Sequence, residues 1–106
     1  MLAFQLTLLV PCYNEEAALP HTLQALLEKL DSLQAQGKIR SDSQLYCIDD
    51  GSNDRSWAII QAHAAQDPRI HALKLSRNFG HQAALLAGLL HAQGDALISI
   101  DADHAR

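Results

Sequence analysis

The chain has 106 residues, 48% of them hydrophobic and 19% charged, with eight basic against twelve acidic residues and a formal net charge of −4. That is one domain's length with enough apolar material for a core, which excludes a mainly disordered polypeptide. No basic stripe exists to meet a nucleic-acid backbone, and the longest apolar stretch, residues 83–90, falls short of the roughly 18–20 residues of a membrane-spanning helix.

In chain order, the start is apolar but has neither a basic leading region nor a small-residue cleavage site, so it reads as a strand and not a signal peptide. The first strand is predicted over residues 4–10, ending at Val10-Pro11. Leu19, Leu23, Leu26, Leu27, Leu30 and Leu33 then recur at three- and four-residue spacing, which predicts an amphipathic helix. Pro20 fits its first turn, where the missing N–H is harmless, and Gly37 closes it.

Residues 45–48 predict a second strand, followed by the dense turn signal Asp49-Asp50-Gly51-Ser52-Asn53-Asp54. A helix around Trp57, Ile60 and Ala64 ends before Pro68. Residues 70–75 give a third strand, 76–80 a loop, 82–93 a helix rich in Ala and Leu, and 96–100 a fourth strand with Asp101-Ala102-Asp103 at its end. Strands alternating with helices predict an open parallel sheet with flanking helices, β-α-β-α-β-α-β, a Rossmann-like arrangement in a single unit over residues 1–106.

The polar clusters fall where such a sheet concentrates its chemistry. Tyr13-Asn14-Glu15-Glu16, Asp49-Asp50-Gly51-Ser52, Ser76-Arg77-Asn78-Phe79-Gly80 and Asp101-Ala102-Asp103 each follow a strand. The carboxyl ends of parallel strands share one edge, and ligands bind in the crevice there. Polarity alone would be ordinary for such loops. Carboxylates, however, crowd three of the four: Glu15, Glu16, Asp49, Asp50, Asp54, Asp101 and Asp103 all lie in them. A rim this negative suits a hard divalent cation and would repel a phosphate without one. Asp101 and Asp103 are two apart, so in extended backbone they share a face and are the predicted metal ligands.

These segments together carry a resemblance. Val10-Pro-Cys-Tyr-Asn-Glu-Glu, Asp49-Asp-Gly-Ser-Asn-Asp, Leu75-Ser-Arg-Asn-Phe-Gly and Gly94-Asp-Ala-Leu-Ile-Ser-Ile-Asp-Ala-Asp resemble, in order and spacing, the signatures of family 2 glycosyltransferases. The branch they are most similar to is the polyprenyl-phosphate sugar transferases, including dolichol-phosphate mannose synthases and bacterial undecaprenyl-phosphate glucosyltransferases. The resemblance implies the nucleotide-binding half of a GT-A fold, a UDP- or GDP-linked sugar donor, Mg or Mn, and a lipid-phosphate acceptor at the cytoplasmic face of the plasma membrane.

Carried over residue by residue, the resemblance assigns nucleotide-sugar binding to Pro11, Tyr13 and Glu15, to Ile48 through its backbone and Asp50 through its carboxylate, and to Asp101, Ala102 and Asp103. Tyr13 is suited to stack on the base and Glu15 to accept a ribose or base hydrogen bond. Asp49 is expected to hold its loop by an Asx-type bond. Arg77 and Asn78 are weaker candidates for the diphosphate.

Among the remaining residues, His81 is expected as a surface histidine near the rim and Trp57 in packing. His21, His63, His71 and His91 lack metal-ligand spacing. Cys12 and Cys47 are expected to be reduced, semi-buried thiols in a cytoplasmic protein.

Family members continue after their D-A-D differently from His104-Ala105-Arg106, so the acceptor site and catalytic base are expected outside this chain. The uncovered edge of the fourth strand is expected to permit self-association. A phosphoacceptor receiver domain would carry its acid pair after the first strand, and a dinucleotide-binding domain a G-x-G-x-x-G there; this chain has neither.

Overall fold

The computed structural model describes residues 3–102. The order is β1 (Leu6–Cys12), α1 (Leu19–Ala35), β2 (Gln44–Asp49), α2 (Ser56–Gln66), β3 (Ile70–Lys74), α3 (His81–His91) and β4 (Ala96–Ser99). All strands pair in parallel in the order β3-β2-β1-β4. This is the predicted open sheet.

Each helix forms where its sequence allows one face to be buried. α1 has Pro at its start and buries Leu19, Leu23, Leu26 and Leu30. It ends as Gly37 takes φ +73°, a left-handed conformation that glycine adopts without a Cβ penalty. α1 and α2 lie on the sheet face formed by Leu6, Leu8, Val10, Leu45, Cys47 and Ile70. α3 covers the other face over Leu9 and Ile48, approaching closely at Gly88. The chain therefore changes faces between β3 and β4, and the sheet order reverses between β1 and β4. That gap is the switch point where ligands of open α/β sheets bind.

One strand boundary corrects the sequence reading. β1 runs through Pro11 to Cys12 instead of stopping at Val10. Proline in a central strand normally costs a ladder hydrogen bond. Here Leu9 O accepts from Ile100 N at 2.8 Å on the β4 side, whereas Cys12 O accepts from Asp50 N at 2.8 Å on the β2 side. By alternation Pro11 presents its nitrogen toward β4, whose pairing with β1 ends at Leu9–Ser99. The missing N–H falls at the rung after the Ile100 N to Leu9 O bond, so the proline ends the β1–β4 ladder there and the gap beyond it stays open. The other shifts are of one or two residues: β1 begins at Leu6 instead of 4, β2 spans Gln44–Asp49 instead of 45–48, β3 ends at Lys74 instead of 75, α3 spans His81–His91 instead of 82–93, and β4 ends at Ser99 instead of 100.

Cys12 and Cys47 are both buried free thiols, and Cys12 Sγ donates to Val10 O at 3.2 Å. Burial pushes the Cys47 thiol up to about 12; the Cys12 thiol is also pushed up by burial, and by the neighbouring Cys47, Asp49 and Glu15. Neither thiol should react with a thiol-specific reagent at pH 8 until the protein unfolds, when both should. Their raised folded pKa values stabilise the fold fully below about pH 8.5, and that contribution is lost as pH rises through about 12. Fast labelling of either cysteine in the native protein would contradict this placement.

Candidate functional site

The four post-strand loops meet at one edge and are laced together by side chains bonding to backbone. Asn14, in left-handed conformation at φ +50°, joins the first loop to the second. Its N–H donates to Ser52 Oγ at 2.9 Å, and its Oδ1 accepts from Asn53 N at 2.8 Å. Asparagine tolerates that conformation better than most residues. Alongside, Glu15 N donates to Ser56 Oγ at 2.8 Å and Glu16 N to Asp54 Oδ2 at 3.2 Å. Asp54 also accepts from Ser56 N at 2.9 Å, capping the start of α2. Burial works against the ionised form of Asp54, but the hydrogen bonds from Ser56 and Glu16 outweigh it and hold the carboxyl below its ordinary range.

Asp50 joins the second loop to the third. Its side chain is buried, and Oδ1 accepts from Phe79 N at 2.8 Å. Oδ2 accepts from Gly80 N at 3.0 Å and from Asn78 Nδ2 at 3.1 Å. Gly51, at φ +71°, lies against the same loop so tightly that a Cβ would meet Arg77 C and Asn78 N at 2.3 Å. The fourth loop is tied in from two sides. Thr22 Oγ1 donates to Ala102 O, and His81 Nε2 stands 3.6 Å from Asp101 Oδ1.

The cavity these loops enclose holds about 280 Å³ and opens at the β1–β4 switch point. Pro11, Cys12, Tyr13 and Glu15 line it from the first loop, Asp50 from the second, Asn78, Gly80, His81 and Ala84 from the third loop and α3, and Asp101 and Ala102 from the fourth. Most of the site residues anticipated from sequence are thus brought together. Tyr13 is 41% exposed, leaving its ring available for stacking.

Three residues fall elsewhere. The Ile48 side chain is fully buried beneath Gly88 and does not line the cavity. Asp49 is fully buried, with Oδ2 accepting from Ser52 N at 3.2 Å; its Oδ1 has no hydrogen-bond partner. Arg77 does not border this cavity; it lies over the Phe79 ring, 4.1 Å from the centroid. Asp103 lies outside the described residues.

One expectation changes. Three of the seven rim acids are structural: Asp50 accepts two backbone N–H groups of the third loop, Asp54 one of the first loop and one at the start of α2, and Asp49 one of its own loop. His81, expected as a surface histidine near the rim, is half exposed there and borders the cavity beside Asp101. The signal for it was its place immediately after the glycine that starts α3, since a residue there faces the strand ends. His63 and His91 bond the carbonyls four residues before them at 2.9 Å, as ordinary helical histidines.

Among the described residues no three His, Cys, Asp or Glu side chains converge on a metal position. Asp101 nevertheless offers a partly exposed carboxylate at the mouth. Mg²⁺ is commonly held by one or two carboxylates, with substrate phosphates and water completing its shell, so this donor chemistry fits a hard cation.

Comparison with known proteins bears on the family and the fold. The sequence pattern of Glycosyl transferase family 2 matches residues 7–105. An uncharacterized glycosyltransferase of Bacillus subtilis, YkoT, is 46% identical over 92% of this chain and 30% of its own length. An undecaprenyl-phosphate 4-deoxy-4-formamido-L-arabinose transferase of Shewanella sediminis is 43% identical over 92% of this chain and 28% of its own. Among solved structures, the mannosyltransferase PcManGT of Pyrobaculum calidifontis, in complex with GDP-Man and Mn²⁺, superposes with a TM-score of 0.70 at 27% identity, over 95% of this chain and 28% of that one. The chain spans about 30% of the length of the relatives it matches.

Proposed function

Because the chain belongs to glycosyl transferase family 2, we propose that its cavity binds the nucleoside diphosphate of a sugar donor, UDP- or GDP-linked, for transfer of the sugar to a polyprenyl-phosphate acceptor. The observation that carries this reading is the convergence of Tyr13, Glu15, Asp50 and Asp101 on one 280 Å³ cavity at the sheet's switch point. The relative that uses undecaprenyl phosphate and the neighbour that holds GDP-Man with Mn²⁺ support the two substrate classes.

In this reading Tyr13 stacks on the base and Glu15 accepts a hydrogen bond from ribose or base. Asp50 holds the wall that carries Asn78 and the start of α3. Ile48 supports the floor from beneath, Asp49 secures the second loop and Ala102 closes the cavity under Asp101. Asp101 and Asp103 hold Mg or Mn, which when bound neutralises the diphosphate and the charge that develops as it departs. His81 beside Asp101 keeps that carboxylate turned toward the cavity mouth. No described helix is long and apolar enough to cross a membrane. The proposed place of work is the cytoplasmic membrane face, where a lipid-phosphate acceptor presents its head.

Calorimetric titration with UDP and GDP, each with Mg, Mn or EDTA, tests this reading. One nucleotide should bind with metal and lose affinity in EDTA. Tyr13→Ala should weaken it about 5- to 100-fold, the range for losing one base–aromatic stack. Asp101→Asn should remove the metal dependence. Failure of both nucleotides to bind under every metal condition would overturn the reading.

One observation favours a second property. β4 lies at the sheet edge with Leu97 36% and Ile98 48% exposed, and its outer side pairs with no strand among the described residues. An uncovered apolar edge templates pairing with another chain. Sedimentation should show concentration-dependent self-association that Ile98→Lys reduces; a monomer at all concentrations would exclude it.

A further inference from the structure

A second cavity of about 370 Å³ adjoins the first, sharing Tyr13 and Asn78 as the partition. The two differ in charge. The first has Glu15, Asp50 and Asp101 in its lining and no lysine or arginine. The second is lined by Lys74 and Arg77 and by no carboxylate. In a chain with eight basic residues and a net charge of −4, two basic residues bordering one cavity with no acidic residue in its lining are a local reversal of sign.

Both cations are placed by aromatic rings instead of by ion pairs. Lys74 Nζ lies 5.5 Å from the centroid of Trp57, and Arg77 Cζ lies 4.1 Å from that of Phe79. A cation over a ring keeps its hydrogen-bond donors unspent, whereas a carboxylate partner would consume them. The ion pairs of the described residues involve Arg40, Arg69 and His81, not these two. The floor is fixed where Gly51 meets the backbone of Arg77 and Asn78. At the wall, Ser52 Oγ accepts from Asn14 N, so its own proton is directed elsewhere.

We propose that this second cavity is a binding subsite for a phosphate-type anion, held by Lys74 and Arg77 with Ser52 as a neutral donor. Arginine offers a planar fork for phosphate oxygens and lysine a point charge, a pairing well matched to that chemistry. The subsite stands on its own charge and geometry and does not depend on the nucleotide reading of the first cavity. The anion comes either from a soluble phosphate or from the head of a phosphorylated lipid.

Trp57 is the single tryptophan, so its fluorescence reports directly on Lys74. The intact chain is titrated in EDTA with inorganic pyrophosphate in one arm and geranyl phosphate in another, with calorimetry in parallel. A saturable response is expected in at least one arm. Lys74→Met and Arg77→Met should each weaken it at least 10-fold, and Lys74→Arg should restore most of it. Response in the pyrophosphate arm assigns a soluble source; response to geranyl phosphate alone assigns a lipid source. Lys74→Met should leave metal-dependent nucleotide binding in place, which separates failure here from failure at the first cavity. No saturable response in either arm, or a response equal in wild type and Lys74→Met, overturns the proposal.

Discussion

Gly51→Ala is expected to destabilise the fold by about 3 kcal/mol, from left-handed strain of about 1–2 kcal/mol and overpacking of about 1–3 kcal/mol. The backbone at Gly51 has φ +71°, a conformation in which a Cβ is strained in any setting. The added carbon would also meet two backbone atoms of the third loop at 2.3 Å, and backbone cannot swing aside as a side-chain end can. For a chain of this size the melting temperature should fall by roughly 12–24 °C. Both cavities share the wall that would be displaced, so ligand binding at each should weaken together. A change below about 1 kcal/mol would mean the second and third loops are not in contact.

Asp50→Ala is expected to be about as costly, near 3 kcal/mol, for a different reason. The buried carboxylate accepts from Phe79 N, Gly80 N and Asn78 Nδ2. Removing it leaves those donors without their charged acceptor, and an unsatisfied buried donor costs more than a hydrogen bond contributes on balance. Asp50→Asn separates shape from charge. It keeps one acceptor oxygen but turns an NH₂ toward a donor, so it should lose roughly half as much stability. Hydrogen exchange at Phe79 and Gly80 should accelerate in both variants while β1 and β2 amides remain protected. Unchanged exchange at these two amides would show that Asp50 does not hold the third loop.

The architecture was legible because each strand is a short apolar run and each helix carries recurring apolar residues, leucines in α1 and α3 and Trp57, Ile59 and Ile60 in α2, so the alternation survives in the sequence. The edge that collects the loops follows from parallel topology alone. What escaped was the use to which individual donors and acceptors are put. Asp50 and Asp54 look like ligand carboxylates as residue types, yet both Asp50 oxygens and Oδ2 of Asp54 accept backbone N–H groups that are distant in sequence. Pro11 looked like a strand end because proline usually is one; only the place where β4 stops explains its tolerance. Lys74 and Arg77 are three apart on a strand end and loop, and nothing local announces that they border one cavity.

The apolar run of α3 shows the same limit. Leu86, Leu89 and Leu90 belong to the helix predicted as rich in Ala and Leu, and they are 55%, 46% and 75% exposed. Helix composition does not say which side will be covered. Ala84 and Gly88 take the buried stripe instead, because small residues allow the helix to approach Leu9 and Ile48.

The central claim is that a nucleoside diphosphate sits at the carboxyl edge of this sheet. Amide chemical-shift mapping of the isotopically labelled chain, titrated with UDP and with GDP in the presence of Mg, locates that site directly. Shifts concentrated at Tyr13, Glu15, Asn78, His81 and Asp101 are the expected result. Shifts confined to the opposite edge, where Gln5 meets Asp42 and Asp95, would contradict it.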